Sequence, residues 1–169
     1  MKEIIYNNDD LLDSDINDVV IRVKALMIKD GNLLFGNESG VFQFIGGHLE
    51  DNETLEEGLI REIKEESGID ISLDEINKPF MKIAYLNKDY PNKGINRKNE
   101  IYYYEINTNK DVDLSKTNLT FSEKSKNYKV EVIPMDNAIE AIKNNINDKN
   151  EVVSRDMILA IEEYFKQKS

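Results

Sequence analysis

The sequence contains no cysteine. That removes disulfides, thiolate metal ligands and thiol nucleophiles together, and it fits a reducing compartment such as the cytoplasm. No apolar run approaches the roughly 20 residues needed to cross a bilayer, so no membrane span is expected. The opening stretch, Met1-Lys-Glu-Ile-Ile-Tyr-Asn-Asn-Asp-Asp10, turns acidic where an export signal would carry its apolar core, so no signal is read there. Internal repeats, low-complexity tracts and linkers rich in Pro, Gly or Ser are missing too. Basic residues are scarce: 22 Lys and Arg stand against 33 Asp and Glu, for a net charge of -11. So acidic a chain repels a phosphate backbone, which argues against nucleic acid as a partner. A free nucleotide would be repelled as well, unless a bound divalent cation reversed the local field.

What is present fits one domain. The 169 residues are 40% hydrophobic and 33% charged, enough for a single core over residues 1–169. Residues 1–18 hold a short apolar run, Ile4-Ile5-Tyr6, that could add an edge strand. Val19–Ile28 is rich in β-branched residues and predicts a strand. Asp30-Gly31 is a tight-turn signal, with Asn32–Phe35 as the returning strand. Phe42–Ile45 predicts a further short strand, stopped by Gly46-Gly47. Helices are expected over Thr54–Ser67, Asp136–Asn144 and Ser154–Lys166, and strands over Lys82–Leu86, Ile101–Ile106 and Lys129–Ile133. Strands and helices interleave without regular alternation. The fold class is therefore α/β, a mixed sheet flanked by helices.

The helix from Thr54 has the strongest local signals. Thr54 and Glu57 make a capping box, and Gly68 stands where a left-handed residue closes a helix. At roughly 100° per residue, Glu62, Glu65 and Glu66 share an arc of about 100°. Leu55, Leu59 and Ile63 place the apolar stripe so that Glu66 falls inside it and Glu62 at its edge. Carboxylates facing a core cost free energy unless paired or bound to a metal, and a hard divalent cation prefers oxygen ligands. The spacing also allows a solvated acidic face with ion pairs such as Arg61 with Glu65 or Glu57.

From Gly47 to Ile69 the chain reads GHLEDNETLEEGLIREIKEESGI. This resembles the Nudix box, and Gly47, Glu53, Arg61, Glu62, Ile63, Glu65, Glu66, Gly68 and Ile69 fill every fixed position. The box covers about a seventh of the chain. The resemblance implies a Nudix-type α/β/α sandwich that hydrolyses a phosphoanhydride bond in a nucleoside diphosphate linked to another moiety. It implies Mg2+ or Mn2+ held by Glu62, Glu65 and Glu66, with the Gly46 carbonyl as a further ligand. It also makes Gly47, Glu53, Arg61 and Gly68 structural supports, Arg61 by pairing with the box glutamates. A domain that keeps the box yet only binds a nucleotide or sugar nucleotide is the alternative.

Diphosphate hydrolysis needs a general base as well as charge neutralisation. Glu62 and Glu65 are the candidates within the box, and Glu100 and Glu123 those outside it. The stretch Asn87–Asn99 is basic on an acidic protein, and Arg97 is its best candidate for a phosphate contact. Tyr102 and Tyr104 share a strand face and could stack a base. His48, the only histidine, follows the glycine pair at a position the family does not fix. The expected partner is a small nucleotide-type molecule, and whether the chain pairs with a second copy is not legible.

Overall fold

A stretch rich in β-branched and other apolar residues, Asp18 to Lys29, forms the longest strand, β2, in the computed structural model, which describes residues 1–169. The other strands are β1 (Lys2–Tyr6), β3 (Asn32–Glu38), β4 (Val41–Gln43), β5 (Met81–Asn87), β6 (Arg97–Asn107) and β7 (Lys129–Pro134). They make one seven-stranded sheet in the order β1-β5-β6-β2-β3-β4, with β7 on β3. β1 runs parallel to β5 and β2 parallel to β6, while the remaining pairs are antiparallel, so the sheet is mixed as expected. Residues 1–18 do supply a strand, and β1 lies at an edge of the sheet.

Four helices flank the sheet: α1 (Leu55–Ser67), α2 (Phe121–Ser125), α3 (Ala138–Asn144) and α4 (Glu151–Lys168). None is long and apolar enough to cross a membrane. Two cores lie on opposite faces, because side chains alternate along each strand. Val23, Ala25 and Met27 of β2 pack with Leu59 and Ile63 of α1. Leu26 packs with Phe44, Tyr103 and the α3 and α4 residues Ile142, Met157 and Ile161. Each fully buried Leu or Ile contributes about 1.5–3 kcal/mol, so α1 is held against the sheet mainly by its apolar stripe.

Some boundaries differ from expectation. β6 starts at Arg97 rather than Ile101, because β2 begins at Asp18 and offers ladder partners from there, Asp18 opposite Arg97. The basic connection is therefore residues 88–96, and Arg97, Lys98 and Asn99 belong to a strand. The short helix α2 was not anticipated from sequence, although Thr120 and Glu123 form a capping box at its start.

Candidate active site

The sheet splits where β2 and β3 diverge, and the glycine pair fills the split. β4 pairs with β3 through Val41–Gln43, and the chain then crosses to β2, where Ile45 lies opposite Ala25 and His48 opposite Arg22. The Val23 and Ala25 N–H groups donate to the Gly47 and Ile45 carbonyls at 3.0 and 2.8 Å. The intervening Gly46 carbonyl takes no backbone donor and accepts from the Lys24 ammonium instead. Gly46 has φ +131, and a Cβ there would strike the Val23 carbonyl. Only glycine fits both demands. A Cβ on Gly47 would stand 2.5 Å from Glu62 Oε1, so this glycine opens the space the carboxylate occupies.

The capping box at Thr54 and the left-handed Gly68, at φ 71, fix where α1 starts and stops, and hence which face each glutamate presents. Exposure follows the helical wheel. The side chains of Glu65 and Glu62 keep 29% and 12% of their surface, and Glu66 is 4% exposed as a residue. Arg61 binds the first two, 2.8 Å to Glu62 and 3.2 Å to Glu65. Its Nε and Nη2 also grip both oxygens of Glu53 at 2.7 and 2.9 Å, and Nη2 donates to the His48 carbonyl at 2.9 Å. A two-point grip of this kind fixes direction as well as distance. Glu53 and Arg61 thus tie the glycine loop to the helix. Arg61 pairs with Glu65 but not with Glu57, whose carboxylate caps Thr54.

Glu66 reaches further in. It accepts from the Gly46 N–H at 3.2 Å and from the Tyr128 hydroxyl at 2.6 Å. Burial pushes its carboxyl up to about 7, against the opposing pull of the Lys24 charge and the Tyr128 bond. Burial likewise raises Glu62, with Arg61 pulling the other way. Lys24, held by the Phe44 and Gly46 carbonyls, is lowered by its own burial and feels Glu66, Glu62 and Glu123. The Glu123 carboxylate, on α2, caps Thr120, and its charge also bears on Lys24 and Tyr128. Tyr128 had no signal in the sequence. Its ring covers Gly36 of β3, a contact between elements far apart in the chain.

Four expected site residues are engaged in other contacts. Glu100 lies 2.8 Å from Lys82 and 3.3 Å from Lys98, and these ion pairs hold it below the usual carboxylate range despite its burial. It touches none of the box glutamates. Tyr104 is 0% exposed, packs in the α1-side core and donates to Glu56 at 3.1 Å, so it is a core residue with no face for a base. Tyr102 shares that face and sits beside Glu100 and Lys82. Arg97 pairs with Asp18, and its guanidinium lies 4.8 Å from the Tyr90 ring centre.

The donor set suits a hard cation. Glu62, Glu65, Glu66, Glu123 and the Gly46 carbonyl offer only oxygen, the ligand type that Mg2+ and Mn2+ prefer. No three carboxylate or imidazole groups converge on one point; Arg61 holds Glu62 and Glu65, and Tyr128 holds Glu66. Lys24 stands in as the cation at the Gly46 carbonyl, so a positive charge at that spot already has its acceptor.

Comparison with known proteins agrees with this geometry. The family model for the NUDIX domain matches residues 19–155. Over 33 residues the chain is 58% identical to the 8-oxo-dGTP diphosphatase of Proteus vulgaris, 20% of this chain and 30% of that protein. Over 59 residues it is 32% identical to the CTP pyrophosphohydrolase of Escherichia coli K12, 31% of this chain and 44% of that protein. The chain thus spans less than half the length of either relative. Among solved structures, the MutT protein from Methanosarcina mazei Go1 superposes with a TM-score of 0.59 at 17% identity, covering 89% of this chain and 97% of that one. The E. coli ORF135 protein gives 0.58 at 15% identity, covering 90% and 92%. At such identities the likeness is one of fold.

Proposed function

This chain belongs to the Nudix family, and on that premise we propose that it is a divalent-metal-dependent hydrolase of a phosphoanhydride bond in a nucleoside diphosphate linked to another moiety. The observation that carries the reading is Glu66: a buried carboxylate, raised to about 7, aimed at a glycine backbone and flanked by two further box glutamates. The costs of burying Glu66 and of its repulsion by Glu62 are both relieved by a cation at this point.

Glu62, Glu65, Glu66 and the Gly46 carbonyl would hold Mg2+ or Mn2+, with Glu123 as a further ligand or base. When bound, the ion would neutralise charge on the nonbridging phosphate oxygens and make a water more acidic. Arg61 keeps Glu62 and Glu65 aimed, and Tyr128 does the same for Glu66. Glu62, Glu65 or Glu123 accepts the proton of the attacking water. The short matches to an 8-oxo-dGTP diphosphatase and a CTP pyrophosphohydrolase make nucleoside triphosphates the first substrates to try, followed by ADP-ribose, dinucleoside polyphosphates and sugar nucleotides.

A phosphate-release screen over that panel, with Mg2+ and Mn2+ and with Glu66→Gln alongside, tests the reading. Turnover that needs metal and drops on the order of a hundredfold or more in Glu66→Gln is expected, since several kcal/mol of transition-state stabilisation goes with a ligand. Full turnover in that variant would overturn the ligand assignment, and none in the native chain would overturn the enzyme.

A further inference from the structure

The chain has four arginines, Arg22, Arg61, Arg97 and Arg155. Three sit on carboxylates: Arg61 on the box, Arg97 on Asp18 and Arg155 beside Asp156. Arg22 has no acidic partner. Its one side-chain bond runs from Nη1 to the Asn99 amide oxygen at 2.8 Å, which leaves four of its five N–H donors without a protein acceptor. The guanidinium is half-buried, and desolvation works against its charge, partly offset by the Tyr90 phenol, with the nearby Arg97 adding a smaller repulsion. This is an unpaired cation in a protein of net charge -11.

Other cations gather on the same side. Arg22, Lys24 and Arg97 share a face of the sheet, because alternation puts Arg22 and Lys24 together and parallel pairing puts Arg97 opposite Asp18. His48 is the residue directly opposite Arg22 across the bridge between β2 and the glycine loop. Asn99 is within the strand opposite Val20, so the amide that fixes Arg22 is itself on rigid backbone. Partly desolvated like charges held together by strands are unfavourable unless an anion joins them. The planar fork of an arginine, with an edge free, matches a phosphate in two-point geometry.

We propose that Arg22, flanked by His48 and Arg97, is the seat for a phosphate group of the substrate. The seat rests on the hydrolase reading above for its place in the reaction. Arg22 and His48 are two residues along their strands from Lys24 and Gly46, about 7 Å at strand spacing. A phosphate on Arg22 therefore lies next to the one attacked beside the glutamates. Arg97, bound by Asp18, contributes field rather than a free fork.

Inorganic pyrophosphate is the probe, titrated calorimetrically in EDTA so that no metal takes part. The native chain is expected to bind it, Arg22→Gln to lose tenfold or more in affinity, and Arg22→Lys to recover only part. Glu62→Gln is expected to bind at least as well as the native chain, since it removes a negative charge. With metal and a turned-over substrate, Arg22→Gln should raise KM tenfold or more and change kcat only a few-fold. Thermal melts check that the variants fold. Native-like pyrophosphate affinity and KM in Arg22→Gln, or no pyrophosphate binding by the native chain, would overturn the seat and leave the hydrolase standing. Arg22-dependent binding in a chain that hydrolyses nothing on the panel would keep the seat and remove the hydrolase.

Discussion

The Tyr128 hydroxyl donates to the Glu66 carboxylate at 2.6 Å, across 62 residues of sequence. The bond joins the end of the α2 loop to the most buried glutamate of α1, and the Tyr128 ring lies over Gly36 where no side chain competes. Glu66 thus has two fixed donors, the Tyr128 hydroxyl and the Gly46 N–H, and its direction is set before any cation arrives.

Tyr128→Phe removes one of them without changing the ring. Partners of this type orient a ligand, and their loss lowers metal affinity on the order of tenfold. Calorimetric titration with Mn2+ should show that loss while the thermal midpoint moves by the equivalent of about 1–3 kcal/mol. Unaltered Mn2+ affinity would mean that Tyr128 only packs.

Much of this centre was legible in the sequence because it is local. The order Glu65, Glu62, Glu66 from exposed to buried follows from three angles on one helix, and the capping box and Gly68 mark its ends. The bond between Arg61 and Glu65 is a one-turn contact. What escaped was long-range. Tyr128 and Lys24 reach the site through strand pairing, and nothing near them in sequence says that β2 and the glycine pair share a register. Tyr104 misled for the same reason: the face it shares with Tyr102 was correctly read, but α1 covers that face. Arg97 reads as a loop residue in sequence, whereas the extension of β6 puts it in a strand opposite Asp18.

Arg61→Lys keeps the charge and loses the fork. Lysine has no planar edge with which to hold both oxygens of Glu53 while reaching Glu62 and Glu65. The glycine loop and the box glutamates should loosen together. Stability should fall by about 1–3 kcal/mol in urea denaturation, and kcat/KM by tenfold or more. A variant as active as the native chain would show that charge alone suffices.

Gly46→Ala should be costlier for its size. The new Cβ meets the Val23 carbonyl, and alanine resists a φ of +131. Strain of this kind is worth about 1–3 kcal/mol before any displacement of the chain. The melting point should drop, and turnover should fall by a hundredfold or more as the Gly46 carbonyl leaves its place. Gly31→Ala, at φ 75 with nothing near its Cβ, is the control: it shares the backbone penalty but should leave kcat intact.

Glu75 gives the chain a pH signature away from the site. The Ser72 N–H and hydroxyl and the Lys110 ammonium hold its carboxyl down at about 2, against an ordinary 4.5. A depressed carboxyl stabilises the fold fully above pH 4.5, and that contribution is lost as pH falls through about 2. Glu75→Gln should therefore be less stable than the native chain by a constant margin at neutral pH. The margin should close between pH 4.5 and 2, read as urea midpoints across that range.

Glu123 and Glu100 separate a glutamate at the centre from one that only looked eligible. Glu123 feels the same neighbours as Glu66, namely Lys24 and Tyr128. Glu100 is neutralised by Lys82 and Lys98 on β5 and β6. If Glu123 serves as the proposed ligand or base, Glu123→Gln should cut kcat tenfold or more, a general base contributing on the order of 10²–10⁴-fold. Glu100→Gln leaves Lys82 with Glu3 alone and Lys98 with the more distant Asp13, so its effect belongs in stability, about 1 kcal/mol or less, with kcat within a few-fold of native. Steady-state kinetics on both variants, beside their melting curves, decides the matter. If Glu100→Gln abolished turnover while Glu123→Gln did not, the β6 strand rather than α2 would supply the missing acid–base group.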